Sequence, residues 1–367
     1  LIRSRRTQLS SWIMPVDHLI REILRSKDAT GVIISHLPHI RWICGFTGSI
    51  GLLIARENKL HLLTNSIYKT QATLEVRGAE VHIGSYPIAK FAKEEGLVNS
   101  ADRLIIQPEH LTVAELTCWQ VAIPGISLIP VENLLNKHVA IKSEEAIAGM
   151  RRAQAVSDAV FEEILQYIKP GIHENELAAR INYHHLMLGA STMAFDTIVA
   201  SGPNSALPHA RPSDRKLQSG EPLLLDFGCM VDGFASDMTR TVHLGEPDGK
   251  FIKAYEAVKV AQEQAISLAS AGIEISAVSQ VAQNSLEEFG FNEFFIHSVG
   301  HGIGFEVHEW PRISSDSSAI LLKGYTVTME PGVYFPGEFG IRIEDTILID
   351  SNTCERLSAI GRDLLVI

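Results

Sequence analysis

The sequence predicts an α/β (α+β) protein of two domains, the second of them built from two related halves. Three observations carry this expectation. The chain has 367 residues, enough to bury two separate cores. Up to about residue 135, short apolar strands alternate with helical stretches. Beyond that point one order of helices, loops and strands recurs at an offset close to 100 residues.

In the first region Val32-Ile33-Ile34-Ser35 reads as a strand, and Gly51 to Ala55 and Lys59 to Leu63 read as a hairpin about Glu57-Asn58. Ile67 to Val76 and Thr112 to Val121 have helical patterning, and Arg103 to Ile106 is a further strand. No run of charged residues here is dense enough to do chemistry alone. The segment Pro130 to Lys142 leads into a new helix, so the boundary is placed there, giving domains of residues 1–136 and 137–367.

The second domain opens with Ser143 as a helix N-cap and Glu144 and Glu145 in the positively polarised first turn. Ile147, Met150, Val156, Val160, Ile164 and Ile168 recur at helical spacing until Lys169-Pro170-Gly171 stops the helix. A second helix over about 174–188 and a strand-rich stretch to Leu244 follow. The same order then repeats, with helices over about 251–271 and 276–289 and strands to Ile349. Gly171-Ile172 and Gly272-Ile273 correspond at an offset of 101, and Asp226 and Glu330 at 104.

Composition narrows the function. The chain is 46% hydrophobic and 20% charged, with a mean hydropathy of +0.10, the profile of a soluble enzyme. A formal charge of −11 argues against a nucleic-acid partner, which needs a basic face. No apolar run reaches the roughly 18–20 residues that span a bilayer, and no signal core follows the basic stretch Leu1 to Val16. Cys44, Cys118, Cys229 and Cys354 are scattered, as expected of isolated core thiols in a reducing cytoplasm.

Two pairs of acids carry the chemistry. Leu223-Leu224-Leu225-Asp226-Phe227 and Ser236-Asp237-Met238-Thr239 flank a turn near Asp232-Gly233, so a hairpin would set Asp226 directly opposite Asp237. Met329-Glu330 and Ile343-Glu344 flank Pro336-Gly337 in the same way. Buried like charges that close repel unless a cation lies between them. His301 stands between the pairs in Gly300-His301-Gly302-Ile303-Gly304, where glycines allow close backbone approach. His209, His297 and His308 lie in nearby loops. Four carboxylates and one imidazole suit two divalent ions, with Mn²⁺, Co²⁺, Fe²⁺ or Zn²⁺ favoured over thiolate-selected metals, and read as a hydrolase centre.

The ordered segments Ser201 to His209, Leu225-Asp226-Phe227-Gly228, Ser236 to Thr241, Gly300 to Gly304, Val307-His308-Glu309, Met329 to Tyr334 and Ile341 to Asp345 resemble the Xaa-Pro peptidases, aminopeptidase P and prolidase, of the methionine aminopeptidase/creatinase superfamily. Gly45-Phe46-Thr47-Gly48-Ser49 adds a weaker match. Many relatives read Thr-Asp-x-Arg-Tyr where this chain has Thr64-Asn65-Ser66-Ile67-Tyr68. The resemblance implies an N-terminal creatinase-like domain, a C-terminal pita-bread domain with pseudo-twofold symmetry, a homodimer, and two metal ions per subunit, Mn²⁺ first. It implies that Asp226 chelates one ion, that His301 and Glu330 chelate the other, and that Asp237 and Glu344 bridge both. It gives His209, His308 and Glu330 catalytic roles and makes His297, Arg312, Tyr334 and Arg342 substrate-side residues, with Arg342 also bracing the ligands. The implied activity is hydrolysis of the bond before a proline at position 2 of a peptide, as an aminopeptidase first and a dipeptidase as the alternative. A metal-free binding module would be expected to lose ligands, and all five are present.

Overall fold

The structure, a computed structural model, describes residues 13–367; most of the basic N-terminal stretch lies outside the described residues. Two compact units are present, the first ending at Leu135 and the second running from Asn136 to Ile367.

In the first unit α1 (Ile13–Lys27) leads into β1 (Gly31–Ile34), and α2 (Leu37–Cys44) into the hairpin of β2 (Leu52–Ala55) and β3 (Leu60–Asn65). There follow α3 (Lys69–Glu75), β4 (Glu80–Gly84), α4 (Ile88–Glu94), β5 (Arg103–Ile106), α5 (Val113–Ala122) and β6 (Ser127–Pro130). The strands form one sheet in the order β4-β3-β2-β1-β5-β6. On one face Ile33, Leu52, Ile54 and Leu63 are buried with Phe91 and Ala92 of α4 and Trp119 of α5, the apolar burial that drives such layers together. A capping box opens α5: Thr112 Oγ1 accepts from the Glu115 N–H, and the Glu115 carboxylate accepts from the Thr112 N–H. Cys118 corrects the expectation of four core thiols. All four cysteines are free, but Cys118 is exposed, because the next residue along the helix, Trp119, takes the inward face.

The second unit begins with α6 (Asn136–Val139), α7 (Glu144–Ile164) and α8 (Glu174–Met187). Ser143 caps α7 by accepting from the Ala146 N–H. Six strands complete the first half: β7 (Thr192–Met193), β8 (Ile198–Ser201), β9 (Glu221–Phe227), β10 (Cys229–Val231), β11 (Phe234–Ala235) and β12 (Met238–Leu244). The second half is α9 (Gly249–Leu268), α10 (Ile275–Glu288), β13 (Gly300–Gly302), β14 (Glu309–Ile313), β15 (Thr326–Met329), β16 (Gly332–Phe335), β17 (Phe339–Arg342), β18 (Asp345–Ile349) and β19 (Cys354–Arg356).

The halves repeat down to individual hydrogen bonds. The Gly171 N–H donates to the Leu217 carbonyl at 2.8 Å and the Leu217 N–H to that of Ile172 at 2.9 Å. In the second half Gly272 donates to Leu321 at 2.9 Å, and Leu321 to Ile273 at 2.8 Å. Gly171 and Gly272 have φ of 95° and 93°, the left-handed conformation that ends a helix cheaply only with glycine. Each half then carries an antiparallel strand pair, β9 with β12 and β15 with β18, in sheets ordered β12-β9-β8 and β14-β13-β15-β18-β19.

Candidate metal centre

Asp226 lies near the end of β9, and Asp237 immediately precedes β12. The register sets Asp226 opposite Thr239 rather than Asp237, two residues away from the sequence expectation. The turn is the cause. Val231 pairs with Phe234, leaving Asp232 and Gly233 as a two-residue turn with φ of 51° and 73°. Positive φ at both central residues is the hairpin geometry that fixes register. A slip of two keeps both acids on one face, because strand side chains alternate with period 2. In the second half Met329 pairs with Asp345 and Gly332 with Arg342. Glu330 and Glu344 lie between these pairings, opposite each other as expected.

At these two glutamates the strands separate and bind elsewhere. The Glu330 N–H donates to the Val299 carbonyl at 2.7 Å and the Glu344 N–H to that of Thr239 at 3.1 Å. Thr239 Oγ1 also donates to Glu344 Oε2 at 2.6 Å. The first half's hairpin therefore holds an acid of the second.

His301 on β13 completes the group. Its Nε2 lies 3.6 Å from Asp237 Oδ2 and 3.4 Å from Glu330 Oε1. Ligand atoms of Asp237, His301 and Glu344 lie within 4.8 Å of one another. A Cβ at Gly300 would come within 2.0 Å of the Thr328 carbonyl oxygen, and one at Gly302 within 2.3 Å of that of Trp310, so the flanking glycines permit this close strand packing. The Thr328 hydroxyl accepts from the His301 N–H at 3.1 Å.

Charge in this space is unbalanced. Burial first, then the charges of Glu344, Asp226 and Glu330, pushes the Asp237 carboxyl well above the usual carboxylate range. Burial, then Glu330 and Asp226, does the same to Glu344, and burial raises Glu330 to about 7. Burial lowers His301 to about 4, with His308 adding to the effect, so its imidazole is neutral and free to act as a ligand. Asp226 Oδ1 and Glu344 Oε1 are buried with no hydrogen-bond partner, a costly state for carboxylate oxygens. Orphaned anionic oxygens beside a neutral imidazole fit divalent cations.

Arg342 is buried and braces the group. It donates from Nη2 to Asp226 Oδ2, from Nε to Thr239 Oγ1 at 3.1 Å, and from Nη1 to the Tyr334 hydroxyl at 2.6 Å and the Pro208 carbonyl at 3.2 Å. Tyr334 bonds in turn to His297 Nε2 at 2.9 Å, and burial lowers His297 to about 4. The His308 ring packs edge-on against His301 at 4.4 Å; burial, then His209, lowers its pKa. His209 and His308 are exposed, as is Arg312, which pairs with His301 across β13 and β14.

Two supporting residues, Glu174 and Lys142, had no signal in the sequence. Buried Glu174 accepts from Ser201, Asn204 and Ser213, pinning the loop that carries His209. Glu309 accepts from the Phe305 and Glu306 N–H groups and pairs with buried Lys142 at 2.8 Å, fixing the loop that carries His308. Glu174 looks like an ordinary first-turn acid, and its partners lie 27 to 39 residues away. The Thr239-Arg240-Thr241 alternation is the one local hint, since it marks a strand with a polar face turned inward.

Residues 148–351 match the model of metallopeptidase family M24, and residues 18–138 that of the creatinase/prolidase N-terminal domain. The chain belongs to family M24. An M24 chain of this build has a creatinase-type N-terminal domain and a pita-bread domain, and it is a hydrolase. It is 34% identical over 352 residues to an uncharacterized peptidase of Bacillus subtilis, covering 95% of this chain and 99% of that one. Among solved structures it is similar to an Xaa-Pro dipeptidase from Bacillus anthracis (TM-score 0.92, 31% identity, 97% and 100% of the two chains). It is also similar to an X-Pro aminopeptidase from Thermotoga maritima (TM-score 0.85, 33% identity, 94% and 100%). Within the M24 domain the acids, His301 and the bracing Arg342 form one connected group.

Proposed function

We propose that this M24 protein hydrolyses the peptide bond between an N-terminal residue and proline, using two divalent ions held by Asp226, Asp237, His301, Glu330 and Glu344. The observation that carries the reading is the buried, cation-seeking cluster of four carboxylates around one neutral imidazole. Divalent ions there would supply Lewis-acid polarisation and a strongly acidified water.

The chain's own residues do the rest. Glu330 has 17% of its side chain exposed, against 10% for Asp226 and 6% for Asp237. It is thus the acid best placed to exchange a proton with the substrate side. His209 and His308 would line the approach to the acids and donate to the oxygen that gains charge during attack. His297 and Tyr334, linked to each other and to Arg342, would form the wall that receives substrate. Mn²⁺ is the first metal of the proposal, with Co²⁺, Zn²⁺ and Fe²⁺ as alternatives, and a cytoplasmic homodimer is its setting. Among the described residues no helix is long and apolar enough to cross a membrane.

Substrate length divides the proposal. The aminopeptidase reading accepts longer peptides, and the Thermotoga structure bears that name. The dipeptidase reading is favoured by exposed Arg312, across from His301, as a cation for a nearby carboxyl terminus, and the Bacillus anthracis structure bears that name. The test compares an Xaa-Pro dipeptide with an Xaa-Pro-Xaa tripeptide, with and without chelator and with each metal restored. Chelator should abolish turnover of both. Under the dipeptidase reading Arg312→Ala raises KM for the dipeptide alone; equal KM in the variant and the parent chain leaves the aminopeptidase. Turnover of peptides lacking proline at the parent rate would end the proposal.

A further inference from the structure

The first unit carries a second group of ligand-type side chains that the M24 centre does not use. The sequence shows no dense charged cluster in this region; strand pairing assembles one. His61 on β3 pairs with Glu80 on the parallel edge strand β4, and His82, two residues on, shares the face of Glu80. His61 Nδ1 lies 3.1 Å from His82 Nε2 and 3.6 Å from Glu80 Oε2, and His82 Nε2 lies 4.0 Å from Glu80 Oε1. A tetrahedral ion with bonds of about 2.0–2.1 Å holds its ligand atoms about 3.3 Å apart. The two imidazole nitrogens stand at nearly that separation, and one ligand atom from each of the three residues lies within 4.8 Å of the others, so a small movement of the exposed carboxylate brings the three to corners of one coordination tetrahedron.

Two further observations point the same way. The other nitrogen of His82, Nδ1, lies 3.2 Å from Glu95 Oε2 at the C-terminal end of α4. A carboxylate in that place accepts a hydrogen bond from Nδ1–H, which holds the proton on Nδ1 and leaves Nε2 with the lone pair a metal needs, the usual support for a metal-ligating histidine. Exposure is graded as well. The His61 and His82 side chains are 10% and 11% exposed, while Glu80 is 61% exposed. The two imidazoles are thus preformed ligands, and the carboxylate side opens to solvent, which would provide the fourth corner.

We propose that His61, Glu80 and His82 form a separate His₂–carboxylate site for a borderline divalent ion, Zn²⁺ being the best match, that clamps edge strand β4 to β3. Two imidazoles with one carboxylate favour Zn²⁺ over harder ions, in contrast to the oxygen-rich M24 centre. An edge strand has one side without a sheet neighbour, so a metal cross-link there stabilises its docking.

The test uses the full chain, stripped with chelator and then equilibrated with micromolar Zn²⁺ and dialysed. The parent should retain one more Zn²⁺ per chain than His61→Gln/His82→Gln, as read by elemental analysis, and both should regain equal peptidase activity when Mn²⁺ is restored. Equal Zn²⁺ content in the two proteins overturns the site. Should the double variant fail to fold, exposed Glu80→Gln removes only the oxygen ligand. It should weaken the binding of one Zn²⁺ equivalent at least tenfold in titration calorimetry and leave the others unchanged. An unaltered binding isotherm would be the overturning result.

Discussion

The two halves of the M24 domain share a plan and differ at the positions that decide chemistry. β8 pairs with β9 as β13 pairs with β15. By that pairing Ser201, opposite Leu223, corresponds to Gly302, opposite Val327, and the place of His301 is taken by Ala200. Each half provides two acids, but only the second provides an imidazole. The loops differ in their anchors too: Glu174 pins the His209 loop with neutral hydroxyl, amide and backbone donors, whereas Glu309 is paired with buried Lys142. Symmetry thus accounts for the acid pairs, and its local failure gives an unequal set in which one pole is purely oxygen and the other also has nitrogen.

The comparison can be broken at its centre first. Asp237→Asn removes an acid that the halves share and should lower kcat/KM at saturating Mn²⁺ by at least ~10³-fold, as several kcal/mol of electrostatic stabilisation are lost. With chelator present the same change should raise Tm, because it removes one of the carboxyls crowded together in this buried space beside Glu344 and Asp226. Activity within tenfold of the parent would contradict the assignment. Next comes the seam between halves. Arg240 of the first half pairs with Asp345 of the second at 2.7 Å, with side chains 3% and 0% exposed. Breaking a buried pair from one side costs about 3–5 kcal/mol, so Arg240→Ala should show that loss in urea denaturation of the metal-loaded protein.

Smaller effects sharpen the asymmetry. Ala200→His would restore formal symmetry, but Ala200 is fully buried. Overpacking should cost about 1–3 kcal/mol and add no third metal equivalent; tighter metal binding would show instead that the first half can carry an imidazole. The last test concerns helices α8 and α10, offset by 101 residues, in which His185 and Leu286 correspond. His185 is buried, its Nε2 3.1 Å from Ser157 Oγ, and burial lowers it to about 4. Its folded pKa lies below the unfolded value, so its contribution is complete above about pH 6.5 and is lost as pH falls toward 4. Lowering pH from 6.5 to 5.5 should cost the parent about 1 kcal/mol more than His185→Leu, as measured by urea denaturation in chelator.

Much of this was legible in the residue order. Gly171 and Gly272 announce two helix ends at one offset, Ser143 and Thr112 announce two helix starts, and four acids on apolar strands announce a cation site. Other features were not legible. The Asp226 register was read two residues off because the sequence places a turn near Asp232 without saying which residues take positive φ. Glu174 and Lys142 gave no sign of their roles, since their partners are distant in the chain.

By itself the sequence determined the family, the repeated plan and the five candidate ligands, because periodicity, caps and motif spacing are local properties. Only the tertiary structure decided that Asp226 faces Thr239 rather than Asp237, that Thr239 of one half holds Glu344 of the other, that Asp226 is the acid Arg342 bonds, and that His61, Glu80 and His82 meet. Those facts depend on strand register and on contacts between distant segments. They are fixed by burial and pairing summed over the whole sheet, not by any residue's neighbours in the chain.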